Sequence, residues 1–215
     1  MKIFLDTAET DVIRKNFVTG LVDGLTTNPT LIMKSGRNPE EVYEEIKEIG
    51  VPDISMEVVG TGEEMVAEGR RLKKKFGDCC TIKVPCTRGG LAACRVLAEE
   101  GIRVNVTLIF SQAQAILASK AGAAYVSPFV GRVDDNSFGG ICLVKYIVKV
   151  FKEHFVTTQV LAASVRNVRD VGRLFEHGSD IVTMPPGVFD KMYNHILTDR
   201  GLELFEHDWN ESQGR

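Results

Sequence analysis

The sequence predicts an α/β fold, a (β/α)8 TIM barrel with an extra C-terminal helix. Three observations predict it. Short apolar runs recur eight times along the chain, and the stretches between them have helical spacing, three of them stopping at glycine. Sharing 215 residues among eight units leaves about 27 each, enough for a short strand, a three-turn helix and two brief loops. Strands separated by helices must run parallel, because the chain crosses back each time. Eight such units close most naturally into a barrel, a compact one here, since ~250 residues are usual. The rival is an open doubly wound sheet. It usually has fewer strands, and its dinucleotide-binding version carries GxGxxG after the first strand, where this chain has DTAETD.

In order, the strands are expected at KIFLD (2–6), VDGLTT (22–27), DISMEVV (53–59), CCTIKVP (79–85), IRVNVTLI (102–109), AYVSPFV (124–130), TQVLAAS (158–164) and DIVTMP (180–185). EEVYEEIKEIG places Val42, Ile46 and Ile49 on one helical face and stops at Gly50. GLAACRVLAEEG and SQAQAILASKAG stop the same way, at Gly101 and Gly122. The last helix is expected over about 198–210. No Ser/Gly/Pro-rich linker interrupts the chain, so 1–215 reads as one barrel domain. Size scaling gives about 9,800 Å² of accessible surface folded against roughly 34,000 Å² unfolded, ample burial for one core.

Apolar residues at 44% and charged residues at 26% are ordinary for a globular protein. The net charge of −3 argues against nucleic-acid binding, which needs a basic excess. No apolar run approaches the ~20 residues of a membrane span, and Asp6 interrupts any secretory apolar region after IFL. The five cysteines form no CxxC pair and the four histidines no HxxxH or HExxH spacing, so neither a disulfide framework nor a metal site is expected. Free thiols point to the reducing cytoplasm. The basic run RRLKKK (70–75) falls late on a helix, where positive charge suits the dipole, and reads as a solvated face.

In a closed barrel the outward strand positions face the helices and must be apolar, while inward positions at the C-terminal rim face the site. Alternation by two places Asp6, Asn28, Glu57, Lys83, Asn105 with Thr107, Ser127 and Ser164 inward near their strand ends. Their neighbours Leu5, Val58, Ile82, Val84, Val104, Val106 and Val126 are apolar. Lys83 stands out, because helices covering the outer face leave a lysine little room to reach water there. To be substantially neutral at pH 7 its amine must lose ~3 pKa units, or about 4 kcal/mol. A neutral amine can attack a carbonyl and form a Schiff base. Asp6 and Glu57 would hold the lysine charged, so one of them must serve proton transfer or carry a proton itself. Arg132, in a loop after the sixth strand, and Arg166, after the seventh beside Ser164, would make a phosphate clamp. A surface pair of Arg132 with Asp134 or Asp135 is the plainer reading for that arginine alone.

The segments FLDTA (4–8), DGLTTNPTLI (23–32), IKVPCTRGGLAA (82–93), NVTLIFSQAQA (105–115), AYVSPFVGRVDD (124–135) and LAASVRN (161–167) resemble the small-subunit transaldolases and the fructose-6-phosphate aldolases. The likeness runs from Met1 to about Trp209, with TTNPTLI and NVTLIFS its most specific parts. It implies class I aldol chemistry on sugar phosphates, without metal or cofactor. Lys83 would form the Schiff base, Asp6 would act as acid and base, and Glu57 and Thr107 would hold a water. Asn28, Asn105 and Ser127 would bind the dihydroxyacetone portion, and Arg132, Ser164 and Arg166 the phosphate. The aldolases resembled tend to carry Gln at the position of Glu57 and Tyr at that of Phe129. The transaldolase branch is therefore expected, a fructose-6-phosphate aldolase being the alternative. A catalytically silent sugar-phosphate binder is disfavoured, because it needs no central lysine. The resemblance also implies a homo-oligomeric ring, a pentamer or a decamer of two stacked pentamers. GLELFEHDW offers Leu202, Phe205 and Trp209 on one helical face for docking on a neighbour.

Overall fold

The computed structural model describes residues 1–213. Eight parallel strands close a barrel in chain order, β1 pairing with both β2 and β8. They are β1 (Lys2–Asp6), β2 (Gly24–Thr26), β3 (Ile54–Glu57), β4 (Cys80–Pro85), β5 (Val104–Ile109), β6 (Tyr125–Pro128), β7 (Gln159–Ala162) and β8 (Ile181–Met184). Each lies inside its expected run. Several are shorter than expected, because the chain leaves the sheet once it clears the rim: Phe129 is already the N-cap of a helix, and a single bridge to Ala163 is its last tie to β7.

The helices are α1 (Thr10–Phe17), α2 (Pro29–Ser35), α3 (Pro39–Ile49), α4 (Gly62–Phe76), α5 (Arg88–Glu99), α6 (Gln112–Lys120), α7 (Val130–Asp135), α8 (Gly140–Glu153), α9 (Val168–Glu176), α10 (Pro186–Lys191) and α11 (Ile196–Ser212). Short polar residues start many of them. Asn28, Asn38, Thr61, Thr87, Ser111 and Asn167 each accept an otherwise orphaned backbone N–H. Gly50, Gly101 and Gly122 lie just past helix ends with positive φ, as their positions predicted. Besides the last unit, where α11 follows α10, two units carry more than one α-helix. α2 precedes α3, and α7 precedes α8, which puts Arg132 on a short helix rather than in the expected loop. Of the RRLKKK run, Leu72 packs inward, while Arg71 and Lys75 pair with Glu40 in solvent.

The core is the shell between sheet and helices. Leu5, Val58, Ile82, Val84, Val104, Val106 and Val126 are all buried in it, as alternation required. Inside the barrel, Phe4, Leu161 and Ile181 form a small apolar plug with Tyr125. Beside it Asp53 is buried but satisfied, accepting from Thr81 Oγ1 at 2.7 Å and from the Tyr125 hydroxyl at 2.6 Å. α11 has no buried residue, and Leu202, Phe205 and Trp209 are each more than 60% exposed. The accessible surface is 11719 Å². That exceeds the ~9,800 Å² expected for a compact monomer of this mass. No helix among the described residues is long and apolar enough to cross a membrane.

Candidate active site

Lys83 projects into the barrel from β4, only 5% exposed. Burying an ammonium is costly without partners, and it has two. Its Nζ donates to the Thr27 carbonyl at 2.9 Å and lies 3.1 Å from Glu57 Oε2. The parallel register sets this pair, because Glu57 of β3 stands directly beside Lys83 of β4. Asn105 of β5 is Lys83's other neighbour.

Above Lys83 is a cavity of about 110 Å³, lined by Asp6, Thr26, Asn28, Lys83, Thr107, Ser127, Phe129, Arg132, Ala163, Ser164 and Thr183. Eight of these are the residues expected there from the sequence: Asp6, Asn28, Lys83, Thr107, Ser127, Phe129, Arg132 and Ser164. Asp6 accepts a hydrogen bond from Thr26 Oγ1 at 2.7 Å on its Oδ1. Burial pushes the Asp6 carboxyl above the usual carboxylate range, against the opposing pull of the Thr26 bond and the Lys83 charge. Asn28 caps α2 with its Oδ1, 3.0 Å from the Leu31 N–H, which leaves its amide nitrogen for a ligand. Among the described residues Thr107 Oγ1 finds no hydrogen-bond partner although it is buried, an unmet donor and acceptor at the cavity wall. The register of β5 against β6 shifts beyond Val106, where Leu108 takes a φ of 59°, a bulge at the rim next to Thr107. Ser164 is likewise held at a φ of 58°, strained for a residue with a Cβ, and its carbonyl accepts from Gly131 at 3.0 Å. Gly131 permits that approach, since a Cβ there would meet the Ser164 carbonyl oxygen at 2.4 Å.

Three expected residues stand apart from the cavity wall. Glu57 lines an adjoining groove with Pro29, Tyr43 and Arg71, and so touches Lys83 from the side. Asn105 is fully buried with its amide satisfied at both ends: it donates to Ser55 Oγ at 3.2 Å and accepts from Ser127 Oγ at 2.7 Å. Its visible work is to orient Ser127. Arg166 forks onto Asp135, with Nη2 2.6 Å from Oδ2. Among the described residues Arg132 makes no such pair. Its guanidinium lies over the Phe129 ring, 4.9 Å from the centroid, and Phe129 packs edge-on against Phe110 at 5.8 Å.

A family model for Transaldolase/Fructose-6-phosphate aldolase matches residues 3–215. The chain belongs to this family. It is 50% identical over 210 residues to a probable transaldolase of Caulobacter vibrioides (strain NA1000 / CB15N), covering 97% of this chain and 96% of that one. A probable transaldolase of Nitrosopumilus maritimus (strain SCM1) is 50% identical over 213 residues, 98% of this chain and 96% of the relative. A third, from Caulobacter sp. (strain K31), is 51% identical over 210 residues, 97% and 96% of the two chains.

Two polar cavity residues of this transaldolase/aldolase-family barrel escaped the sequence reading. Thr26 precedes Asn28 by two and lies inward by the same alternation, but sits among threonines that gave it no distinction. Thr183 lies on β8, the one strand from which no inward polar residue was drawn. Extending the alternation from Ile181, which is inside the plug, would have found it.

Proposed function

We propose that the protein is a transaldolase that moves a three-carbon dihydroxyacetone unit between sugar phosphates through an imine on Lys83. The donor and acceptor would be sedoheptulose 7-phosphate and glyceraldehyde 3-phosphate, giving erythrose 4-phosphate and fructose 6-phosphate. The observation that carries the reading is the buried Lys83–Glu57 contact of 3.1 Å beside a cavity that also holds Asp6 and Arg132. Moving one proton from Nζ to the carboxylate leaves a neutral amine and a neutral acid, so the nucleophile is freed without stranding a buried charge.

The amine adds to the ketose C2 carbonyl and water departs, leaving an iminium. Thr107, whose hydroxyl lacks a partner among the described residues, and Glu57 handle that water. The Asp6 carboxylate takes the proton of the C4 hydroxyl. The C3–C4 bond breaks, its electron pair passes to the iminium as an enamine, and the shorter aldose leaves. The enamine C3 then attacks the acceptor aldehyde, Asp6 returns its proton to the new alkoxide, and water hydrolyses the imine. Burial supports both roles of Asp6, because a carboxyl with raised proton affinity is a better base when ionised. Asn28 and Ser127 hold the dihydroxyacetone hydroxyls. Arg132 and Ser164, with Arg166 released from Asp135, hold the phosphate.

Transfer is favoured over plain cleavage by Phe129. It presents a ring without a proton donor to the cavity, so the enamine waits for an acceptor. The bare apolar face of α11 supports assembly as a homo-oligomer through that helix, and the free cysteines suit a reducing cytoplasm. Borohydride reduction in the presence of fructose 6-phosphate tests the central step. Mass should appear on the peptide containing Lys83, and label on any other lysine would refute the assignment.

A further inference from the structure

β8 supplies no group to the chemistry above, yet Thr183 lies at the cavity wall, 1% exposed. Its Oγ1 is 2.7 Å from Thr26 Oγ1, and the same Thr26 hydroxyl donates to Asp6 Oδ1, also at 2.7 Å. A threonine hydroxyl has one hydrogen. That of Thr26 is committed to Asp6, so the hydrogen between the two threonines must come from Thr183.

We propose that Thr183 is a positioning residue for the carbon–carbon bond step: by donating to Thr26, it fixes the direction in which Thr26 donates to Asp6. The proposal rests on the reading of Asp6 as acid and base. It follows that Oδ1 of Asp6 is tied up and Oδ2, which has no partner among the described residues, handles the substrate proton. Hydrogen bonds in series polarise one another, so Thr183 strengthens the bond that supports the ionised form of Asp6. When Oδ2 takes the proton from the donor sugar, the threonines keep their direction and Asp6 is poised to return it. The charged groups that share the cavity with Asp6 are Lys83 and Arg132, with Glu57 paired to Lys83. None of them is altered by changing Thr183.

Thr183→Val keeps the β-branched shape and removes the hydroxyl, while Thr183→Ser keeps the hydroxyl. For transfer from fructose 6-phosphate to an aldehyde acceptor, Thr183→Val should lower kcat about fivefold, the fold-change of one net hydrogen bond, with KM little changed. The acid limb of its kcat–pH profile should move to higher pH, because the ionised form of Asp6 loses support. Thr183→Ser should restore both. A Thr183→Val enzyme with wild-type kcat and pH profile would overturn the proposal. So would a Thr183→Ser enzyme as impaired as Thr183→Val, which would make shape the cause. If Thr183→Val does not fold, Thr183→Ala carries the same comparison. Asp6→Asn separates the two layers. Retained activity in it would refute the acid–base reading, whereas its loss beside a normal Thr183→Val would refute only the positioning role.

Discussion

Replacing Lys83 with methionine should abolish transfer and also weaken the fold. The side chains of Lys83 and Glu57 are 6% and 14% exposed. Methionine fills the volume of the lysine stem, so little cavity forms and the cost is electrostatic. Removing one member of a buried ion pair costs about 3–5 kcal/mol, because the remaining charge is stranded. Glu57 keeps some contact with solvent through its groove, which places the cost near the lower end, about 3 kcal/mol. The Thr27 carbonyl loses its donor as well, adding about 1 kcal/mol. For a chain of this size 1 kcal/mol moves Tm by about 2–4 °C, so a fall of roughly 8–16 °C is expected. Adding Glu57→Gln removes the stranded charge and should recover more than half of that loss. Thermal and urea unfolding at matched protein concentration measure both variants. A Lys83→Met protein as stable as wild type, or a double variant no more stable than the single one, would refute the idea that Lys83 and Glu57 balance each other's buried charge.

Asp6→Asn should cut activity about 10²–10⁴-fold, the range of a lost general acid–base group. It should nevertheless be at least as stable as wild type at pH 7. The folded carboxyl binds its proton more tightly than the unfolded one, so its stabilising contribution is present below the unfolded value of 3.8 and lost as pH rises through the folded value. The advantage of Asn over Asp should therefore shrink towards pH 4, and a gap that widens in acid would contradict it. Arg132→Ala should weaken phosphorylated donors roughly ten- to hundredfold and spare free dihydroxyacetone, as loss of a charge-assisted contact requires. Arg166→Ala should lose less, because that side chain is already paired with Asp135; KM values for the two donors decide. Phe129→Tyr should raise release of free dihydroxyacetone relative to transfer, since a phenol can protonate the enamine; an unmoved ratio in a folded variant would leave the partition to other residues. Truncation after Gly201 removes Leu202, Phe205 and Trp209 and should lower the particle mass in light scattering, whereas an unchanged mass would place assembly elsewhere.

Much of this protein was legible in one dimension, because period-two alternation and helix punctuation are local properties of the chain. The run TIKVP already says that Lys83 and its neighbours Ile82 and Val84 face opposite ways, and closure of the barrel turns that into inside and outside. The same logic placed Asp6, Thr107 and Ser127 at the site and left α11 with an uncovered apolar face. Alternation gives the side of a sheet but not the partner met there, and partners are where the tertiary structure decided. Thr26 and Thr183 are 157 residues apart and touch only because β8 closes against β1. Asn105, which the chain placed inward correctly, is spent on Ser55 and Ser127. Arg166 meets Asp135, where the sequence had offered Asp135 to Arg132. Glu57 reaches Lys83 from a neighbouring groove. In each case burial forces a polar group to find a partner, and which partner it finds depends on the register and closure of distant strands.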